Sequence, residues 1–543
     1  MRATALEGRA SAVDRLTHEA FDLLIVGGGI TGIGTALEAA TRGLRTALVE
    51  REDLAVGTSS RSSKLIHGGL RYLDQYRFGL VREALAERAT LLRIAPHLVR
   101  LEPFLVPIYG LALKVPYYGV GLTLYGLLGA AQGAGFPRFQ SPSTARRQHP
   151  SLRAAGLRGA WVYHDGIEDD ARFVVAVART AVAAGTTVLT RMRAVELCRS
   201  SAGVDGVIVE DTRTGHRHRV RAAAVLDATG VVGGDGGPFR LAGHGTTMPS
   251  RGIHLVVRRE QIPGMGGMTI RVPGRVVFLI PWNSRWIVGT TDHAHAGSTD
   301  RPAATRGEAD ELLAAVNHVL DVGLSRADIV ATFAGIRPLV GGGSSTITAS
   351  REHEIREPIS GLFTVRGGKY TTYRLMAEQI VDRIVAAGRV RAHPSVTATR
   401  PLVGAPVATP SGLAVDGDAI DVLRRTFGLD LQVIEHLVSR YGLEAAAVLS
   451  LGRDRNLLRR LHPEALYLEA EVAWAVEQEM ALSLDDILAR RMRLAFEVAD
   501  HGASVAGRTA QIAGPLLDWT DGEATRQAVA YAEMSDREYG VPV

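Results

Sequence analysis

A short apolar run, Phe21–Val26 (FDLLIV), passes directly into Gly27-Gly28-Gly29-Ile30-Thr31-Gly32, a G-x-G-x-x-G pattern that opens a helical stretch at Ile33–Arg42. Leu44–Glu50 (LRTALVE) then reads as a second buried strand ending on an acid. A strand, glycine turn, helix and strand in this order predict a right-handed β-α-β crossover, the start of a doubly wound parallel sheet. Gly27 permits the tight turn, Gly29 lets the backbone approach a pyrophosphate, and Gly32 lets helix and strand pack closely. Free N–H groups at the helix start attract the anion. Glu50 is placed to accept hydrogen bonds from ribose hydroxyls and to repel a phosphate on that ribose. The pattern marks a dinucleotide binder and leaves NAD and FAD open.

A chain of 543 residues exceeds what one core serves, so several domains are expected. Apolar runs at Thr187–Leu197, Ala222–Asp227 and Leu362–Val365 read as returns to the first sheet. The nucleotide domain is thus discontinuous, at 19–100, 181–230 and 335–390. His254–Arg258, Arg275–Pro281 and Arg285–Thr291 are β-branched and aromatic. They predict an antiparallel substrate domain at 231–334, to which a mixed connection at 101–180 contributes. After a linker around Gly388–Pro410, helical spacing in Ala465–Glu479 and Leu484–Val498 predicts a helical C-terminal domain at 401–520. The expected fold class is α/β: a discontinuous doubly wound domain, an antiparallel-sheet domain and a helical C-terminal domain.

Composition removes several function classes. The 62 basic and 57 acidic residues leave a charge of +5, a modest excess that favours anionic substrates or lipid headgroups. No Lys/Arg block interleaved with aromatics stands out, so nucleic acid is not an expected partner. Cys198, the one cysteine, cannot form an intramolecular disulfide; its apolar neighbours suggest a buried thiol in a reducing, cytoplasmic compartment. The first 22 residues lack the apolar run of a secretory signal. His293 and His295 stand two apart without further ligands, so no metal is expected. Phe104–Ala134 carries one charge, Lys114, but Pro107, Gly110, Pro116, Gly119 and Gly121 break it into pieces too short to span a bilayer. Its piece Tyr117–Ala131 reads either as a helix lying in a membrane surface or as a core helix.

Gly57–Leu73 (GTSSRSSKLIHGGLRYL) clusters hydroxyls and a lysine where a second phosphate and a flavin edge would need donors. Here the chain resembles the FAD-dependent glycerol-3-phosphate dehydrogenases, flavoproteins of the glutathione-reductase-like group close to D-amino-acid oxidase. The likeness continues through Ala228-Thr229-Gly230, Arg251–Val257 (RGIHLVV), Ile280-Pro281-Trp282, Gly289-Thr290-Thr291-Asp292, Gly335–Leu339 (GIRPL), Gly367–Arg374 (GGKYTTYR) and Asp485–Arg491 (DDILARR). It covers about Phe21 to His501.

The resemblance implies FAD as cofactor, with Gly27, Gly29, Gly32 and Glu50 on its ADP half and Ser59, Ser62, Lys64, Leu65 and Gly69 along the flavin half. Val195 would meet adenine through its backbone, and Gly230, Gly368, Lys369 and Thr371 would approach the flavin. It implies glycerol 3-phosphate as substrate, bound by Arg71, Tyr72, His254, Arg337, Arg351 and Lys369. A phosphomonoester carries nearly two charges and needs several cations at once, although each arginine alone reads as a surface ion pair. His254 is the candidate base, because an ordinary imidazole titrates at about 6.5. Arg337 is the cation that would steady a developing alkoxide. In an apolar strand His254 also reads as a core histidine.

The family passes electrons mostly to membrane quinone, which would make this a cytoplasmic protein held peripherally on the inner face of the cell membrane. Oxygen as acceptor, an amine or amino-acid oxidoreductase of the same fold, and a flavin-binding protein without turnover remain open. So does a homodimer. After Gly230 the family usually continues with Pro-Trp, whereas this chain reads VVGGDGGPFRLAGHGTTMPS. That departure puts local flavin contacts in doubt.

Overall fold

The computed structural model describes residues 5–69, 76–129, 135–231, 239, 247–272, 275–340, 353–406 and 417–542. Among them, eight strands form a first sheet around Ala20–Val26, which pairs in parallel with Thr46–Val49 on one side and Arg217–Asp227 on the other. Thr187–Leu189 and Leu362–Gly367 extend the parallel part at its two ends. Leu23, Leu24 and Ile25 are wholly enclosed on both faces, as a continuous apolar run in a parallel sheet requires. The helix Ile30–Thr41 covers the sheet and packs against the helices Asp170–Ala183 and Tyr373–Ala386.

The stretch Thr187–Leu197 is not one strand. It breaks at Arg191, which adopts a left-handed φ of +58°, and Met192–Ser200 then leaves as an antiparallel hairpin with Gly203–Asp211. The break is held from outside, since Arg191 donates to Asp486 at 2.8 Å. Cys198 lies on this hairpin, half-buried rather than enclosed.

Ten described strands make the second sheet. The start of the apolar stretch after Phe104 contributes directly to it: Val99–Tyr109 runs antiparallel to Leu157–Glu168 along its whole length, prolines included. Thr247–Arg258 pairs on one side with Arg285–Gly289 and on the other with Ile329–Val340. The substrate sheet therefore continues past residue 334, and Arg337 belongs to it. The helix that follows the long strand is Lys114–Leu128; it exposes Tyr117, Val120 and Leu127, as Leu113 just before it is exposed, and buries Leu122 and Tyr125. Among the described residues no helix is long and apolar enough to cross a membrane.

The C-terminal part is helical but not as the spacing predicts. Leu484–Val498 is interrupted: a π-helical turn, Asp486–Arg491, is followed by a single turn, Leu494–Glu497. Arg490, Arg491 and Arg493 turn inward there to meet carboxylates, so charge pairing overrides the helical period. The helix Asp521–Tyr539 lies beyond the expected boundary at 520 and packs back on Ile329–Val340. Trp474, Ile487 and Phe496 share one apolar core with Val256, Ile280 and Phe333 of the second sheet.

Candidate active site

A cavity of about 550 Å³ lies between the two sheets, at the carboxyl ends of the parallel strands. It begins at Glu50 and Met192–Ala194, passes Gly27–Thr31 and the turn Ser59–Ser63, and ends at His254, Arg337 and Gly367–Thr371.

Its first half is built by backbone. Gly29 caps the helix Ile30–Thr41, whose first turn carries no acid, and Ser59 Oγ accepts the Ile30 N–H at 2.9 Å. Gly32 does not line the cavity. A Cβ there would fall 2.0 Å from the Gly27 carbonyl oxygen, so this residue makes the close helix–strand contact on which the loop depends. Gly32→Ala is expected to cost about 1–3 kcal/mol by overpacking and to yield protein with a depleted flavin spectrum; full cofactor content would contradict the packing role. Glu50 Oε2 accepts the Gly28 N–H at 2.6 Å and Oε1 accepts the Glu52 N–H at 2.8 Å. Burial pushes its carboxyl above the usual range, against those two amides. A run of backbone donors at a helix N-terminus, with an acid at the next strand end, suits the pyrophosphate and ribose of a dinucleotide.

The second half brings His254 and Arg337 to one wall. His254 is 2% exposed and stacks on Phe333 with ring centres 4.6 Å apart. Its Nε2 lies 2.8 Å from Ser63 Oγ, whereas Nδ1 is buried without a hydrogen-bond partner. Burial, and then the positive charges of Lys64 and Arg337, hold the imidazole well below its ordinary value. The expectation of a histidine titrating near neutrality is thus corrected: this one is neutral there. Arg337 donates to Thr290 Oγ1 at 3.0 Å and to Asp292 Oδ1 at 3.3 Å. Two glycines make the wall: a Cβ on Gly252 would sit 2.4 Å from Arg337 Nη2, and one on Gly289 2.2 Å from His254 Cδ2. Lys369 lines the same end.

Residues 22–383 match the family described as FAD dependent oxidoreductase, and residues 395–524 match the C-terminal domain of alpha-glycerophosphate oxidase. A glycerol-3-phosphate dehydrogenase of Mycobacterium leprae is 41% identical over 527 residues, which is 96% of this chain and 89% of that protein. The chain belongs to the FAD-dependent glycerol-3-phosphate dehydrogenase family. The human mitochondrial glycerol-3-phosphate dehydrogenase is 37% identical over 535 residues, 92% of this chain and 71% of that protein. The glycerol-3-phosphate dehydrogenase from Bacillus halodurans, solved in complex with FAD, superposes with a TM-score of 0.80 at 28% identity over 98% of both chains. As a member of this family the protein is an FAD-dependent oxidoreductase.

Of the residues that the family likeness suggests for FAD, the cavity is lined by Gly27, Gly29, Glu50, Ser59, Ser62, Leu65, Gly69, Gly230, Gly368, Lys369 and Thr371. Lys64 is corrected. It is wholly buried behind the wall, donating to Asp170 Oδ2 and to the Ser60 carbonyl, each at 2.7 Å, with Phe333 4.7 Å away. Burial draws its ammonium down to about 8 despite Asp170. Val195 sits at a β-bulge, next to Arg193 and Ala194, which line the cavity. Arg71, Tyr72 and Arg351 lie outside the described residues, as does most of the segment after Gly230. Sequence reasoning missed Arg61, Tyr163, Arg271 and Arg301, which also line the cavity. Arg61 stood inside the quoted GTSSRSS; the others carry no local signal. Among the described residues no cluster is arranged to hold a metal ion, and His293 meets Glu311 at 2.8 Å instead.

Proposed function

We propose that this protein oxidises sn-glycerol 3-phosphate at C2 to dihydroxyacetone phosphate and delivers the electrons to a membrane quinone. The observation that carries the reading is a neutral histidine and a permanent cation, His254 and Arg337, on the wall of one cavity with the glycine loop. FAD, when bound, supplies the acceptor for the C2 hydride. His254, neutral and 2.8 Å from Ser63 Oγ on the cavity wall, is assigned the hydroxyl proton. Arg337 steadies the charge that develops on that oxygen, and Lys369 adds a cation for the phosphate, together with Arg71, Tyr72 and Arg351 as the family likeness suggests. The exposed apolar residues of Lys114–Leu128 support a place on the inner face of the membrane, where quinone is reached.

Anaerobic addition of glycerol 3-phosphate is expected to bleach the flavin, and glycerol or amino acids are not. Subsequent mixing with a quinone analogue is expected to restore the colour faster than oxygen does. His254→Gln is expected to slow the bleaching by about 10²–10⁴-fold, the usual worth of a positioned base. Because the depressed imidazole is already in its base form, kcat/KM is expected to show no His254 ionisation between roughly pH 6 and 8. An acid limb in that range that the glutamine variant abolishes would contradict this.

A further inference from the structure

The last helix, Asp521–Tyr539, ends beside the cofactor cavity. Its Glu538 is 1% exposed, accepts from Arg301 Nη1 at 2.7 Å and also accepts from Arg61 Nη2. Both arginines line the cavity. Arg61 belongs to the turn between Ser59 and Ser62, which touches the helix start through Ile30. Arg301 belongs to Thr299–Pro302, a separate segment of the same wall, and also reaches Glu52 at 2.9 Å, two residues past Glu50. One carboxylate of the helical domain therefore ties together two cavity segments that lie far apart in sequence.

The same domain grips the cavity rim at two more points. Arg490 and Arg491 hold Asp53, the former at 2.6 Å, just after Glu50. Asp486 holds Arg191 at 2.8 Å, just before Met192. Glu538, Asp486 and Arg490 do not themselves line the cavity, so their influence on a bound dinucleotide runs through the segments they hold.

We propose that Glu538 is a positioning residue for FAD, the point through which the helical C-terminal domain keeps the Arg61 and Arg301 segments in register over the dinucleotide. Without its charge, the buried Arg61 loses its carboxylate partner while the half-buried Arg301 keeps only Glu52 and Asp485, so the tie between the two segments is lost. The inference needs only FAD binding, so it stands apart from the identity of substrate and acceptor.

The test compares the full-length wild type with Glu538→Gln, Glu538→Asp and a control, Glu479→Gln. Glu479 is likewise a buried carboxylate joining the helical domain to the first one, through Arg172 at 2.6 Å, but neither partner lines the cavity. FAD is released, and its dissociation constant is then measured by quenching of flavin fluorescence, alongside the melting temperature of each apoprotein. E538Q is expected to raise the constant at least about ten-fold, with E538D, which keeps the charge one methylene short, in between. E479Q is expected to lower the melting temperature while leaving FAD affinity unchanged. Affinity in E538Q within about two-fold of wild type, or an equal loss in E479Q, would overturn the proposal. If E538Q does not fold, unchanged affinity in E538D overturns it equally.

Discussion

Replacing Arg337 with leucine is expected to lower kcat/KM for glycerol 3-phosphate by about a thousand-fold, the upper range for removing one charge-stabilising donor from a dry site. The side chain is pre-aimed: Thr290 and Asp292 hold its two nitrogens, and Gly252 leaves room beneath. Hydride loss from C2 leaves charge on the hydroxyl oxygen, and Arg337 remains charged throughout the working pH range. His254 cannot substitute, because burial and neighbouring cations disfavour its charged form. Arg337→Lys keeps the charge without the planar fork and is expected to recover part of the rate only. Stopped-flow reduction of the flavin measures both variants; leucine within ten-fold of wild type would remove Arg337 from the chemistry.

Replacing Asp170 with alanine is expected to cost about 3–5 kcal/mol of stability, the usual loss when one partner of a buried ion pair is removed. Asp170 is wholly buried and accepts from Lys64 Nζ at 2.7 Å, from Ser62 Oγ at 2.7 Å and from Arg493 Nη2. Alanine leaves Lys64 enclosed without its carboxylate, and Arg493 beside it with Asp169 alone. Lys64→Met removes one of those charges and leaves Asp170 paired with Arg493, so a clearly smaller loss is expected. Urea unfolding of the apoproteins compares the two, and equal losses would show that the network is not organised around Asp170. Since Ser62 lines the cavity, D170A is also expected to weaken FAD binding.

The helical and strand periods around Gly27–Gly32 were legible because they are local: each residue's neighbours along the chain decide its face. The same holds for Ala222–Asp227 and for the strand that carries His254. Val99–Tyr109 was harder. Its prolines read as breaks, yet the strand pairs throughout with Leu157–Glu168. Lys64 shows a different limit. Its motif marked the right turn, but whether the ammonium faces the cavity or the core depends on Asp170, 106 residues away. Arg301 and Glu538 had no readable role, since their partners lie on other segments.

By itself the amino-acid sequence determined the dinucleotide loop, the α/β class, the strand that bears His254 and the family with its FAD. The first three follow from short-range pattern and spacing, which fix local geometry and backbone donors before any tertiary contact forms; the family and its FAD follow from the resemblance of the quoted motifs. Only the tertiary structure decided that His254 is neutral, that Lys64 is a buried tie rather than a flavin contact, and that the last helix reaches the cofactor cavity. Charge state and direction depend on burial and on partners from distant segments, because electrostatic energy is set by distance in space and by local solvent, not by separation along the chain.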